Sequence, residues 1–231
     1  TRMVIADSRS PARHRILSGF GGLGDFDVSP DGSRIAFARF EFDEDLLEFG
    51  LDGKLIRELR ATGGNEGSPD WSPRGDAFAH VELHTGIWIR KPDDDSSARL
   101  LVPSRRATAP AFSPDGNFIT FRSSSPGNYE IYRMTTTGTN ITRLTTAAGT
   151  DEYPVYSPNG SKIVFVSDRD GNQEIYTMNS DGTGQVRLTN NTFRDSEPAF
   201  SPDGTKIVFN RGVNGNFGPW QVFTMNSADG S

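Results

Sequence analysis

Short runs of apolar residues recur along the chain, and each run follows a polar turn. Five of them occupy equivalent places, at residues 34–38, 76–79, 118–121, 162–166 and 206–209. Because β-branched and aromatic residues dominate these runs and turn residues bound them, the pattern predicts β-strands. Residues 163–166 are apolar at every position, which predicts a strand covered on both faces.

A tetrapeptide of the form Ser-Pro-x-Gly precedes each of these five strands. Its copies begin at Ser29, Ser72, Ser113, Ser157 and Ser201, and successive prolines lie 41 to 44 residues apart. Proline sets φ for the second position of a tight turn, and glycine accepts the conformation that follows at no steric cost. A period in the forties is the length of one four-stranded blade. The pattern therefore predicts an all-β fold, a β-propeller built from four-stranded blades.

The remaining residues of each repeat predict the other strands of a blade. In the fourth copy, residues 153–157 predict the first strand, 162–167 the second, 173–178 the third and 186–189 the fourth. The third copy repeats this order, whereas the fifth copy ends after its third strand at residues 221–226. Residues 4–7 and 15–18 align with third and fourth strands. We therefore expect twenty-one strands in one propeller domain that spans residues 1–231.

Four segments of the repeat resemble those of TolB-like β-propellers. They are residues 167–172 (Ser-Asp-Arg-Asp-Gly-Asn), 174–179 (Glu-Ile-Tyr-Thr-Met-Asn), 187–189 (Arg-Leu-Thr) and 198–204 (Pro-Ala-Phe-Ser-Pro-Asp-Gly). The resemblance extends over essentially the whole chain. Propellers of that family have six blades, and both chain ends pair in one closing blade. The resemblance therefore implies a six-bladed domain trimmed at one or both ends, and a five-bladed ring with one spare strand is the alternative.

The resemblance also implies a function. TolB-like propellers include a bacterial protein that binds an outer-membrane lipoprotein in the periplasm. We therefore expect a non-enzymatic binding or scaffolding module with a protein or peptide partner, located in the bacterial envelope, either periplasmic or secreted. The alternative is the propeller domain of an enzyme, either a prolyl-oligopeptidase-like hydrolase or a metal-dependent sugar lyase or lactonase.

Composition and charge narrow the range of partners. The 231 residues carry a net charge of −6, and nucleic-acid backbones are bound by basic surfaces, so we expect no nucleic-acid partner. The chain contains no cysteine, which excludes disulfides and thiolate chemistry. No apolar run approaches the length of a membrane span, so we expect none.

The motifs that could carry chemistry fit structural roles better. No Gly-x-Ser-x-Gly nucleophile elbow occurs, so no catalytic residue is predicted. Residues 19–24 match Gly-x-Gly-x-x-Gly but lead into a predicted strand instead of a helix that could hold a dinucleotide. His80 and His84 flank a predicted strand, where four residues span about 13 Å, too far for one zinc ion. Residues 168–172 begin like a calcium loop but lack its last acid. We predict no cofactor and no bound metal.

One set of residues predicts a binding site. In a propeller, each connection from a fourth strand to the next first strand opens at one mouth of the central channel. Carboxylates lie at or near the start of several first strands: Asp25, Glu66, Asp151, Glu152, Asp195 and Glu197. Converging carboxylates bind a cation, an ammonium group or a basic peptide. We therefore predict a ligand site at this mouth. The alternative is that these acids cap backbone amides of the loops.

Overall fold

The computed structural model describes residues 2–7, 10–18, 22–40, 44–50, 54–59, 66–82, 84–124, 127–212 and 219–231. Every regular element within these ranges is a β-strand, and none of them contains a helix. The strands are numbered β1 to β21 in chain order. The predicted all-β class is confirmed, and the described strands agree with the expected number.

The strands pair with their neighbours in the chain. A two-stranded sheet at the start contains β1 (Arg2–Asp7) and β2 (Ser10–Ser18). Sheet I contains β3 (Gly22–Val28), β4 (Arg34–Phe40), β5 (Glu44–Gly50) and β6 (Leu55–Leu59). Sheet II contains β7 (Glu66–Trp71), β8 (Phe78–Glu82), β9 (Gly86–Lys91) and β10 (Asp94–Val102). Sheet III contains β11 (Ala107–Phe112), β12 (Phe118–Ser123), β13 (Glu130–Thr135) and β14 (Thr142–Arg143). Sheet IV contains β15 (Asp151–Tyr156), β16 (Lys162–Ser167), β17 (Glu174–Asn179) and β18 (Val186–Arg187). Sheet V contains β19 (Asp195–Phe200), β20 (Lys206–Gly212) and β21 (Trp220–Asn226).

Sheets I to IV are four-stranded antiparallel meanders, as the repeat predicts for propeller blades. The first strands of consecutive sheets contact one another, from β3 through β7, β11 and β15 to β19. The sheets therefore lie side by side with their first strands inside, as blades do around a propeller channel. The number of blades in the complete ring stays a prediction.

The core lies between the sheets, and the second strands dominate it. One repeat position of the second strand holds a buried phenylalanine in three sheets, at Phe121, Phe165 and Phe209, and the buried His80 takes this position in sheet II. The buried Phe78 lies two residues earlier, where the other second strands carry isoleucine. Aromatic partners on the third strands lie 5.5 to 6.0 Å away between ring centroids, at Tyr132, Tyr176 and Phe223. Each buried phenylalanine contributes about 1.5–3 kcal/mol through the hydrophobic effect. The side chain of Phe37, at the same position in sheet I, lies outside the described residues.

The Ser-Pro-x-Gly turns are held by the serine side chain. In sheet IV, Ser157 Oγ donates to Oδ1 of Asn159 and accepts the backbone N–H of Lys162, at 2.8 and 2.9 Å. Gly160 closes the turn with φ of 71°, a conformation that favours glycine. The serine-to-acid bond recurs with Asp31, Asp115 and Asp203. These hydrogen bonds favour the charged carboxylate, so the pKa of Asp31 and of Asp203 is lowered to about 2.

A buried network explains why glutamate, arginine and threonine recur at fixed spacings. In sheet IV the carboxylate of Glu174 is fully buried and accepts hydrogen bonds from Thr189 Oγ1 at 2.5 Å and Arg187 Nη2 at 3.1 Å. Thr189 Oγ1 accepts the backbone N–H of Ile175 at 2.9 Å. Sheet III repeats the network with Glu130, Arg143, Thr145 and Ile131. In sheets III and IV the network holds the fourth strand to the third strand, although β14 and β18 have only two regularly paired residues each.

Candidate functional site at the channel mouth

Four inner strands share an unusual backbone conformation near the predicted mouth. One residue in each has a φ of 49° to 53° although none is glycine, and these are Ser68, Ala109, Tyr153 and Glu197. Each lies where the pairing register shifts between first and second strands, so each is part of a β-bulge. A proline follows every one of them, in a position where a strand tolerates proline.

These bulges form a fixed scaffold that carries different side chains. A left-handed conformation costs an L-residue about 1–2 kcal/mol, so the surrounding pairing must impose it. Bulges re-aim side chains and are frequent beside functional sites. The backbone is the same in these inner strands, whereas the bulge residue is serine, alanine, tyrosine or glutamate. Such a scaffold can present different side chains to a ligand, because the bulge backbone is constant while the bulge side chain differs from sheet to sheet.

Asp151 and Asp195 begin their inner strands and are fully buried. Asp151 forms an ion pair with Arg169 at 2.9 Å, and Asp195 forms one with Arg211 at 2.6 Å. Each guanidinium also lies over aromatic rings of its sheet, 4.9 Å from the nearer ring centre. The structure thus places these two acids at the predicted end of the strands, where arginines of the same chain neutralise them.

Glu152 follows Asp151 and pairs across the gap between sheets. Its Oε1 lies 2.5 Å from Nη1 of Arg122 in sheet III. The same guanidinium lies against two rings, 4.9 Å from the centre of Tyr129 and 5.1 Å from that of Tyr153. Burial raises the pKa of Glu152, and the positive charge of Arg122 opposes that rise. Arg122 therefore organises a polar and aromatic surface beside the bulge residue Tyr153.

Glu197 differs from the other described acids of the predicted site. Its side chain is exposed, and Nδ2 of Asn210 donates to its Oε2 at 2.6 Å. Within the described part of the chain it forms no ion pair. It lines a cavity of about 210 Å³ with Ser196, Asn210 and Trp220, and Trp220 is 46% exposed. The cavity thus combines an accessible carboxylate with an accessible aromatic ring.

The two other predicted acids lie at related places in sheets I and II. Asp25 falls at the register shift of β3, and Glu66 begins β7 opposite Glu82. The side chains of Asp25 and Glu66 lie outside the described residues. Their part in the mouth stays a prediction.

A second pair of acids was missed by sequence reasoning. Asp27 and Asp70 occupy equivalent positions in β3 and β7, opposite Ala36 and Ala79. Each Oδ2 accepts a backbone N–H of the next inner strand, at 2.6 Å. Burial raises the pKa of both carboxyls, and the charge of Asp27 raises the pKa of Asp70 further. These acids join neighbouring sheets, since an inner strand is a sheet edge with unpaired N–H groups.

Sequence reasoning also missed the bulges and Trp220. A signal for the bulges exists in the sequence, because proline stands four residues before the Ser-Pro proline at Pro69, Pro110, Pro154 and Pro198. Proline inside a predicted strand indicates an edge or a bulge. No repeat signal identifies Trp220, since the equivalent positions in sheets III and IV hold Tyr129 and Gln173.

The two histidines do not share a site. His80 is buried, with Nε2 3.2 Å from Nη2 of Arg90, and His84 is exposed. Burial lowers the pKa of His80; the nearby carboxylate of Glu82 opposes this shift, and the charge of Arg90 supports it. In the segment 168–172, Oδ1 of Asp168 accepts the backbone N–H of Thr150 at 2.6 Å. No group of three or more acidic or histidine side chains in the described ranges is arranged to hold a metal ion.

The Gly-rich segment and the expectation of no membrane span can also be compared with the structure. The Gly-rich segment 19–24 lies partly outside the described residues, and its described end belongs to β3. The described part of the chain has no helix that is long and apolar enough to cross a membrane.

Comparisons with known proteins bear on family and fold. The chain matches the model of the TolB beta propeller domain over residues 23–153 and 147–231. Uncharacterized protein Atu1656 of Agrobacterium fabrum is 31% identical over 161 residues, which are 64% of this chain and 52% of that protein. The chain thus spans about half the length of this curated relative.

Solved structures share the architecture. TolB from Acinetobacter baumannii has a TM-score of 0.74 at 25% identity, over 87% of this chain and 52% of its own. A protein assigned as TolB from Agrobacterium tumefaciens has a TM-score of 0.81 at 24% identity, over 95% of this chain and 82% of its own. An oligogalacturonate lyase in complex with manganese has a TM-score of 0.68 at 14% identity, over 98% of this chain and 69% of its own. At 24% and 14% identity, the Agrobacterium protein and the lyase show only that the fold is shared.

Proposed function

This chain belongs to the TolB β-propeller domain family, and we propose that it is a non-enzymatic binding propeller whose channel mouth holds a basic group of a protein or peptide partner. The resemblance to TolB supports a place in the bacterial envelope. The accessible side chains of Glu197 and Trp220 support the mouth as the binding site.

Glu197 carries the proposal because it is the exception among the described mouth acids. Asp151, Glu152 and Asp195 each have an arginine within 2.9 Å. Glu197 is exposed and accepts a hydrogen bond from the neutral amide of Asn210. A bulge fixes its backbone with φ of 51°, so the carboxylate starts from a defined place. A fixed carboxylate that forms no ion pair with the described residues can accept a cation from a partner.

The surroundings of Glu197 favour an organic cation. The indole face of Trp220 attracts an ammonium or guanidinium group, which is worth about 0.5–1 kcal/mol at an exposed site. A charge-assisted hydrogen bond to Glu197 adds about 1.5–3 kcal/mol. A metal ion, by contrast, requires several charged or carbonyl oxygens in one shell. The proposed ligand is therefore a lysine or arginine side chain of an extended peptide.

The other predicted residues have supporting roles in this proposal. Asp151 and Asp195 fix the starts of two inner strands, and Glu152 fixes Arg122. Asp25 and Glu66 are proposed as additional acidic contacts in sheets I and II.

The proposal is tested by titrating the lysine peptide acetyl-Ala-Lys-Ala-amide, followed by nuclear magnetic resonance. The same peptide with an acetylated lysine is the ligand control, because it lacks the positive charge. We expect Glu197→Gln to weaken binding at least tenfold, which corresponds to about 1.4 kcal/mol. Asp181→Asn removes an exposed acid from the turn after β17, at the opposite end of sheet IV, and should change nothing. Equal binding of both peptides would refute the proposal.

The enzyme alternative makes a different prediction. A hydrolase or lyase would turn over peptides, esters or oligogalacturonate, with or without added manganese. We expect no turnover above that of a heat-unfolded sample of the same preparation. Reproducible turnover that follows the folded protein through purification would refute the non-enzymatic proposal.

A further inference from the structure

Three equivalent clefts open between consecutive sheets, at the end opposite the mouth and beside the Ser-Pro-x-Gly turns. They are named here by the sheets that border them. Cleft II/III has a volume of about 400 Å³, cleft III/IV about 150 Å³ and cleft IV/V about 500 Å³. Sheets III and IV repeat the same turns and strands, so side chains must set the difference between clefts III/IV and IV/V, whereas the longer β10 also lines cleft II/III.

Two repeat positions account for the difference between clefts III/IV and IV/V. In cleft III/IV these positions hold Phe118 and Arg133, whose guanidinium lies 4.7 Å from the ring centre. Arg133 also reaches across to the carbonyl oxygen of Ser180 at 2.7 Å, which closes the cleft. In cleft IV/V the same positions hold Lys162 and Thr177. Threonine is too short to cross the gap, so this cleft stays open.

The open cleft combines an apolar wall with one available cation. Leu188 and Phe200 are half-buried in its lining, and Val186 is 53% exposed beside them. Lys162 Nζ donates to Oδ1 of Asn179 at 2.8 Å, and a lysine ammonium has two further N–H groups to donate.

The facing wall carries the other charged residue of the lining. Asp203 accepts hydrogen bonds from Ser201 Oγ and from the backbone and side chain of Thr205, at 2.6 to 3.0 Å. Its carboxylate is therefore engaged within its own turn, as the equivalent acids of other sheets are. Lys162 is the charged group of this cleft that is placed to meet a ligand.

We propose that cleft IV/V is a second binding site, separate from the mouth, for an amphipathic carboxylate. The apolar part of the ligand packs on Leu188 and Phe200, and its carboxylate pairs with Lys162. The volume lies within the range of small-ligand sites, about 300–1,000 Å³. A peptide that ends in an apolar residue and a small carboxylic acid share this chemistry.

The first test compares N-acetyl-leucine with N-acetyl-leucinamide, which has the same apolar group without the carboxylate. Nuclear magnetic resonance of the wild-type protein should show N-acetyl-leucine binding at residues of cleft IV/V, with the amide at least tenfold weaker. Lys162→Met, which keeps an unbranched side chain without the charge, should reduce the affinity for N-acetyl-leucine to that for the amide. Equal affinity for the two compounds, or no binding of either, would overturn the proposal.

The second test uses the repeat to build matched variants. The pair Lys162→Phe and Thr177→Arg copies the filled arrangement of cleft III/IV and should abolish binding. The pair Ala77→Phe and Ile89→Arg makes the same change in cleft II/III and should leave the affinity unchanged. Unaltered binding by the first pair, in a protein whose circular dichroism matches wild type, would contradict the assigned site.

A third comparison identifies the source of the carboxylate and separates this site from the mouth. An octapeptide that ends in leucine with a free carboxylate should bind more tightly than N-acetyl-leucine if the natural ligand is a chain terminus, and equally if it is a small acid. Glu197→Gln should not change either affinity. A loss of N-acetyl-leucine binding in that variant would place the ligand at the mouth and refute a separate site.

Discussion

Replacement of Asp195 by alanine separates the structural acids of the mouth from the proposed binding acid. The carboxylate of Asp195 is fully buried and accepts hydrogen bonds from Arg211 Nε at 2.6 Å and Nη2 at 2.8 Å. It also accepts one from Asn191 Nδ2 at 2.9 Å. Alanine removes all three bonds and leaves the guanidinium of Arg211 against two aromatic rings without its counter-charge.

The expected loss of stability is large for one residue. Removal of one partner from a buried ion pair costs about 3–5 kcal/mol. The side chain of Arg211 is 21% exposed, so water replaces part of the lost interaction and we expect about 2–4 kcal/mol. Glu197→Ala is the matched control two residues away. It removes an exposed carboxylate with one hydrogen bond from Asn210, so we expect a loss below about 1 kcal/mol.

Urea unfolding and peptide titration together test this reasoning. Unfolding free energies come from linear extrapolation, and an unchanged slope shows that the unfolded states are comparable. Below the unfolding transition, Asp195→Ala should bind the lysine peptide within about threefold of wild type, whereas Glu197→Ala should lose at least a factor of ten in affinity. If Asp195→Ala cost less than about 1 kcal/mol, the ion pair would not be structural. Equal effects of both substitutions on binding would refute the division of roles.

Ala109→Gly should stabilise the protein by about 1 kcal/mol in urea unfolding, because glycine relieves a left-handed backbone with φ of 51°; a destabilised variant would show that no strain is stored there. Phe165→Ala should cost about 3–5 kcal/mol, since the ring is fully buried, and a loss below about 1 kcal/mol would contradict its assigned place. Burial lowers the pKa of His80 from 6.5 although Glu82 opposes the shift, so the folded state binds fewer protons and stability should fall as the pH drops below 6.5. His80→Leu should show a shallower fall in unfolding free energy, and identical pH profiles would exclude His80 as the cause.

The architecture could be predicted because the same local signals occur five times. Turn residues fix where each second strand begins, and the apolar pattern fixes which residues are buried. The fourth strands are a partial exception, since residues 186–189 were predicted as a strand and only Val186–Arg187 pairs regularly. The backbone N–H groups of Leu188 and Thr189 both donate to the carbonyl of Ile175, so the regular ladder ends there. Strand propensities of single residues do not reveal that two N–H groups will share one carbonyl acceptor.

The sequence did not predict which mouth acids form ion pairs, because the pairing arginines come from other parts of the repeat. Arg169 lies in the loop after β16, whereas Arg211 lies within β20, yet both reach the acid that begins the neighbouring inner strand. The two arginines do not share one repeat position, so the repeat pattern contains no sign of them. An acid that is counted as a ligand from its place in the sequence can therefore be a structural acid in the fold.

Equivalent positions in a repeat protein give an internal comparison that a single sequence otherwise lacks. Sheets III, IV and V share turns, bulges and buried rings, so a shared residue is explained by the fold that all of them must build. A residue that breaks the pattern has no such explanation. Glu197 is an exposed acid at a bulge position that holds tyrosine in sheet IV, and Thr177 replaces the bridging Arg133 of sheet III. The repeat therefore separates residues that the fold requires from residues that the proposed ligands explain, and it does so at both ends of the sheets.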